Sequence, residues 1–369
     1  MNTTKKFEHS IEFFNRKKEK EEILSILRQE PREINFIYGP INSGKTTLIQ
    51  KLIDDLPKDY VVIYINLRER TMSLYKDFLE AIFDVRYEGI LTKIKNLVIR
   101  QKETVDDVIS ELGKIHKIPI PNGIFTRIFK EEKPKNAFIY ILDIIKNIKK
   151  EGKKPVFIID ELQKIGDIKI DGFLIYDVFN FFIRLTKELH ICHVFALSSD
   201  SLFIERVYAE AMLQGRANYI LVDDFDEQTT KKFLEKYNIS KEEQEIAYDH
   251  FGGKPRTLAD YILANDRNKY IEQMILERKS EIKSILRDVR EFGDEIKVRD
   301  KGFPVSYEIL LETLKKFKET EKRNSDEINE TAKRYLVSKN ILFADCVKDY
   351  VKQQSRINLI AIREILKEI

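Results

Sequence analysis

Gly39-Pro40-Ile41-Asn42-Ser43-Gly44-Lys45-Thr46 spells out the G-x-x-x-x-G-K-[ST] pattern of a phosphate-cradling loop. The two glycines allow backbone conformations closed to other residues, so successive N–H groups can form a nest pointing at an anion. A helix starting near Lys45 adds its positive end at the same spot. Lys45 is the residue to reach the β- and γ-phosphates, the Thr46 hydroxyl is placed to coordinate magnesium, and Thr47 is grouped with the loop's nucleotide contacts. Pro155-Val156-Phe157-Ile158-Ile159-Asp160-Glu161 carries the second half of the chemistry: an apolar run that ends in two carboxylates. Asp160 would hold the magnesium, and Glu161 would orient or deprotonate an attacking water, which needs an acceptor for its proton. The cofactors implied are ATP and Mg2+.

These residues need a scaffold that brings them to one edge. Ile34-Asn35-Phe36-Ile37-Tyr38 precedes the loop as a strand, and Thr47 to Ile53 follows it with a helical pattern. The run before Asp160 reads as a strand buried on both faces of a parallel sheet, whose carboxyl edge is where ligands bind in open α/β folds. Tyr60 to Asn66, Ile191 to Leu197 and Asn218 to Val222 are further strands. Strands alternating with helices imply a parallel, doubly wound sheet. Asp77 to Lys150 reads as mostly helical, broken at Ile118-Pro119-Ile120-Pro121-Asn122-Gly123, and is taken as a helical insertion. Past Asp226 strands give way to helices over Glu227–Tyr237, Lys241–His250 and Thr257–Ala264, then a charged helix from about Lys269 to Arg290. Helices near Tyr307–Phe317 and Ser325–Ser338, then a hairpin over Ile341–Ile357, suggest a winged-helix-like end. The expected organisation is an α/β P-loop NTPase domain over 1–225, a helical lid over 226–268 and a winged-helix-like domain over 269–369.

Composition sets limits on function. Of 369 residues, 34% are charged and 43% hydrophobic, a globular balance, and a net charge of +3 gives no general argument for nucleic acid. Two cysteines in so long a chain form no disulfide framework and point to a reducing compartment. Cys192 and His193 are strand neighbours and project to opposite faces, so they are not expected to act as a catalytic pair. The start of the chain has no apolar signal core, and the most apolar stretch is interrupted by Asp177, Asn180 and Arg184, so the expectation is a cytoplasmic protein without a membrane span.

Further segments follow one order. Phe13-Phe14-Asn15-Arg16 leading into Glu21-Glu22-Ile23-Leu24, Leu213-Gln214-Gly215-Arg216-Ala217, and Gly253-Lys254-Pro255 accompany the loop and the acid pair. Together they resemble the archaeal AAA-type ATPases, grouped with the STAND branch of P-loop NTPases and close to the origin-recognition loaders. The resemblance covers about Phe13 to Ala264. It implies that Arg16 lines the adenine end, that Ser198 or Ser199 holds the polar sensor position, and that Pro255 touches the base from the lid. It also implies that Arg216 lies near a γ-phosphate, its own or a neighbour's. Arg256 follows the proline in an order different from that of the loaders and receives no role. The implied function is an ATP-driven conformational switch with slow or stimulus-dependent hydrolysis and a protein partner of unknown kind; assembly into an oligomer is compatible with it. The alternative is a DNA-binding loader or regulator using Lys333, Arg334 and Lys339, although Asp326, Glu327 and Glu330 share that segment.

Overall fold

The computed structural model describes residues 11–69, 71–84, 114–120, 122–131, 133–170, 172–298 and 301–369. Six parallel strands form the central sheet. From edge to edge they run Lys114–Ile115, Tyr60–Asn66, Lys154–Asp160, His193–Ser198, Ile34–Tyr38 and Ala217–Leu221. The strand carrying the loop and the strand carrying the acid pair are therefore separated by His193–Ser198, with Tyr38 level with Ser198. Tyr60–Asn66 matches its expected bounds, and the other expected strands lie within two residues of theirs.

Burial explains why these runs are strands. The residues of Ile34–Tyr38 are buried throughout, as are those of Pro155–Asp160, so both faces of the sheet must be covered. Alternate residues divide between two layers. Ile37, Val62, Ile158, Phe195 and Leu197 pack under Leu48, Ile49 and Leu52 of the helix Lys45–Asp54, with Ile23 and Leu27 of the helix Lys17–Leu27. Phe36, Ile63, Ile65, Phe157 and Ala196 face the other layer, where Phe78, Ile141, Ile145, Phe179 and Phe182 meet them from helices Tyr75–Ile82, Pro134–Lys150 and Leu174–Ile183. The last of these continues into a π-helical turn over Arg184–Glu188.

Part of the expected helical insertion lies outside the described residues, which omit 85–113. Among those described, Asn122–Glu131 and Pro134–Lys150 are helices, and a short parallel pair joins Phe83–Asp84 to Ile118–Pro119. Among the described residues Ile118–Pro119 is strand rather than a helix end, and Asn122 and Gly123, expected within the break, begin the next helix.

Helices Glu227–Lys236, Lys241–Phe251 and Pro255–Leu263 pack around Phe233, Leu234, Phe251, Leu258 and Tyr261. Arg267–Phe292 then spans 26 residues, about 39 Å at 1.5 Å per residue. Helices Tyr307–Lys315 and Glu330–Ser338, with antiparallel strands Lys322–Asn324, Leu342–Asp345 and Tyr350–Gln353, enclose a separate core around Leu310, Leu336, Ile341 and Val351.

Two elements go beyond the sequence expectation. Asp294–Val298 and Lys301–Val305 pair as an antiparallel hairpin whose residues are mostly exposed, so charge masks the alternation that signals a strand. The chain also continues past the expected hairpin as a helix, Arg356–Glu368, capped by Ser355 and packed on Arg267–Phe292 with Lys279 paired to Glu364 and Glu368.

Candidate active site

Loop geometry follows from its residue types. Gly39 has φ of 154° and approaches the Val222 carbonyl so closely that a Cβ would lie 2.2 Å from that oxygen. Asn42 and Gly44 sit at φ of 62° and 92°, conformations that asparagine and glycine tolerate best. Gly44 caps the helix Lys45–Asp54, so the first helical amides open onto the loop. Lys45 is buried, and its Nζ donates to the carbonyls of Gly39 at 3.0 Å and Pro40 at 2.8 Å, with Ser43 Oγ at 3.4 Å. Burial, reinforced by the nearby positive charge of Lys254, pushes its pKa down to about 8.

The acid pair meets the loop. Thr46 Oγ1 donates to Asp160 Oδ2 at 2.8 Å, and the Tyr64 hydroxyl donates to the same oxygen at 2.9 Å. Burial raises the Asp160 pKa, opposed by these two hydrogen bonds. A hydroxyl and a carboxylate are the hard oxygen donors that magnesium takes, usually only one or two from protein beside phosphate and water, so Thr46 and Asp160 fit that ion. Among the described residues no cluster of three or more His, Cys, Asp or Glu could hold a metal by itself.

Glu161 follows at φ of 63°, a left-handed conformation rare for a residue with a side chain. Its Oε1 accepts from Arg68 and its Oε2 from Gln163 Nε2 at 2.9 Å. Arg68 is 64% exposed and reaches Glu161 from the turn after strand Tyr60–Asn66.

Two cavities flank the loop. One, of about 350 Å3, lies between loop and lid and is bordered by Arg16, Thr47, Phe225, Pro255 and Arg256. The other, of about 370 Å3, lies between Asn42, Glu161, Ser199 and the C-terminal residues Asn340 and Gln354.

The remaining expected residues fall into three groups. Pro255 faces the loop, with its Cγ 4.0 Å from the position a Gly44 Cβ would take. Arg16 borders the same cavity but is a buried strut: Nη2 donates to the Ser43 carbonyl at 2.6 Å, Nη1 to Glu19 at 2.7 Å, and the guanidinium lies 4.6 Å from the Phe225 ring centre. Ser198 is buried and its Oγ is bonded to the backbone of Asp200, while Ser199 lines both cavities. Of the two serines, Ser199 is the one that borders the cavities beside the loop. Arg216 is not brought to the site of its own chain. Its carbonyl accepts from Ile34 N at the start of the loop-bearing strand, its side chain holds the Met212 carbonyl, and the loop lies about 16 Å farther along the strand.

Lys254 and Arg68 carry contacts that no sequence role anticipated. Lys254 stands inside the lid motif, which was its only signal; Arg68 has none. Lys254 Nζ reaches the Ile41 carbonyl at 3.0 Å, Asp224 Oδ2 at 3.0 Å and the Gln354 carbonyl at 2.8 Å.

The C-terminal cations are also committed. Lys333 and Arg334 both pair with Glu205 of the helix Ser201–Tyr208 and with Glu330, and Lys333 is buried. The helix expected to approach a nucleic-acid groove is thus packed against the sheet domain.

A parallel sheet with its phosphate-binding loop and acid pair at one edge defines a P-loop ATPase fold. The chain belongs to the family of ATPase domains predominantly from Archaea, whose model matches residues 13–261; residues 268–366 match the C-terminal domain of MJ1010-like ATP-binding proteins. Uncharacterized ATP-binding protein MJ0632 of Methanocaldococcus jannaschii is 43% identical, covering 96% of this chain and 100% of its own. Uncharacterized ATP-binding protein PYRAB09480 of Pyrococcus abyssi is 44% identical, covering 96% and 98%. A solved Walker-type ATPase of Pyrococcus abyssi superposes with a TM-score of 0.60 at 15% identity, covering 95% and 96%, and shows the shared fold. Among the described residues no helix is long and apolar enough to cross a membrane.

Proposed function

We propose that this protein binds ATP with magnesium and hydrolyses it, using the nucleotide state to set the position of lid and C-terminal domain. The observation that carries this reading is the Thr46–Asp160 hydrogen bond, which joins the phosphate loop to an acid pair 114 positions away. The loop from Gly39 to Thr47, apart from Pro40, supplies backbone amides and the Lys45 ammonium to the phosphates, with Pro255 and Arg16 at the base end. Thr46 and Asp160 hold the magnesium, which neutralises phosphate charge when bound. Glu161 accepts the proton of the attacking water, and Ser199 is better placed than Ser198 for a polar sensor. We read the arrangement as a STAND-like switch of the cytoplasm, with the lid over 226–268 closing on a domain spanning 1–225. Arg216 serves a neighbouring copy in this reading, since it lies away from its own loop.

Steady-state phosphate release from the full chain, with and without duplex DNA, tests this. We expect slow magnesium-dependent release that DNA leaves within about twofold, because Lys333 and Arg334 are already paired. No release above background would end the hydrolase reading, and strong stimulation by duplex would favour the loader. In the same assay, a mixture of Arg216→Ala and Lys45→Ala proteins should recover turnover that neither has alone. No recovery would return Arg216 to a structural role.

The buried Lys45 also gives a pH dependence. Its pKa is near 8 without a phosphate and rises when an anion sits beside it. Above pH 8 binding must therefore take up a proton, and ATP affinity should fall as pH climbs from 8 toward 10. Calorimetric titrations in buffers of different ionisation enthalpy would detect the uptake; proton release or a flat profile would contradict it.

A further inference from the structure

We propose that Lys254 is a positioning residue that couples the docking of the C-terminal domain to the shape of the phosphate loop. This inference rests on the ATPase reading and deepens it by naming how that site is regulated. An ammonium has three donors and no acceptor, and those of Lys254 are divided among three parts of the molecule. One goes to the Ile41 carbonyl in the loop, one to Asp224 in the strap between edge strand and lid, and one to the Gln354 carbonyl just past the last C-terminal strand. The side chain is buried, and burial lowers its pKa, so solvent is a poor substitute for any acceptor that leaves.

The peptide it grips matters for phosphate binding. In a trans peptide the C=O and the following N–H point in opposite directions, so fixing the Ile41 carbonyl toward Lys254 fixes the direction of the Asn42 N–H. That amide belongs to the loop's anion nest. The backbone there is already unusual, with Asn42 at φ of 62°.

A second contact holds the loop at its entrance. Tyr38, the residue before Gly39, donates its buried hydroxyl to Asp345 Oδ1 at 2.8 Å, and Asp345 belongs to the strand Leu342–Asp345. Lys352 on the partner strand adds an ion pair to Asp223 of the strap at 2.6 Å. The hairpin Leu342–Gln353 and the residue after it are therefore tied to the first half of the phosphate loop, directly at Tyr38 and through Lys254 at Ile41, and to the strap at Asp223. The strap has little slack: a Cβ on Gly39 would meet the Val222 carbonyl, and one on Gly253 would come within 1.7 Å of the Phe225 carbonyl. Moving the C-terminal domain removes an acceptor from Lys254, and reorienting the Ile41 peptide does the same. Each event thereby biases the other, and the coupling acts equally in both directions.

The test uses the full chain, a non-hydrolysable ATP analogue with magnesium, and amide hydrogen exchange of Leu342–Gln353 alongside analogue affinity. In the parent, the analogue should change exchange in this hairpin. Lys254→Met keeps the side-chain length and removes the donors; it should weaken the analogue about tenfold and abolish the hairpin response, and Lys254→Arg should restore part of it. A Lys254→Met protein with the parent's full hairpin response would overturn the inference. Tyr38→Phe, which deletes only a hydroxyl, keeps the test readable if Lys254→Met does not fold. It should speed hairpin exchange and weaken the analogue about threefold; a loosened hairpin with unchanged affinity would overturn the coupling. A parent that hydrolyses ATP with an unresponsive hairpin overturns this inference alone, whereas a parent that binds no nucleotide overturns the ATPase reading as well.

Discussion

Glu161→Gln should lower ATP turnover about a hundredfold or more while leaving ATP affinity within about threefold, the pattern of a lost general base. The substitution keeps the size and the oxygen that faces Arg68 or Gln163, but it removes the group able to take a proton. Glu161 also holds a left-handed backbone at the end of a strand, where strain of about 1–2 kcal/mol must be sustained by its surroundings. Such strain at a carboxylate beside the loop is consistent with a functional placement. Single-turnover hydrolysis together with titration of a fluorescent ATP analogue separates the two quantities. A Glu161→Gln protein that hydrolyses ATP at the parent rate would move water activation to another residue. If affinity collapsed with turnover, the Arg68–Glu161 pair would be a structural support of the loop.

Lys45→Ala should weaken ATP binding roughly ten- to a hundredfold, since losing a hydrogen bond to a charged group costs about 1.5–3 kcal/mol. Lys45 is the one cation within the loop itself, and its ammonium is poised among the loop's own acceptors, so it can transfer its donors to a phosphate over a short distance. The fold should survive. Burying an ammonium is costly, as its lowered pKa records, so removing it spares that cost even as it frees the Gly39 and Pro40 carbonyls. Equilibrium binding with a thermal melt of the same sample decides the matter. Unchanged ATP affinity in a folded Lys45→Ala protein would remove the nucleotide site from this loop.

How much of this was legible in advance differs from element to element. Both halves of the chemical site could be read because each is contiguous: loop residues Gly39 to Thr46, and an apolar run that stops at Asp160-Glu161. The sheet was legible because strands buried on both faces are apolar throughout, a signal that needs no partner to be recognised. The paired strands Asp294–Val298 and Lys301–Val305 were not, since their residues are mostly exposed and several carry charge. Arg216 shows a different limit. Its motif marked the start of the edge strand correctly, but position along a strand relative to the loop depends on sheet register, and register put it at the far end.

By itself, then, the sequence determined the ligand chemistry, the type of sheet and the order of elements, because short-range pattern and burial encode them. Tertiary structure alone decided which lone side chains meet. Lys254 joins residues as far apart as Ile41 and Gln354, Tyr38 finds Asp345, and Lys333 and Arg334 turn inward onto Glu205. A lysine or arginine looks the same in sequence whether it faces solvent, a nucleic acid or a buried carboxylate. Its partner is selected by the packing of two separately built cores, and no local spacing records that choice.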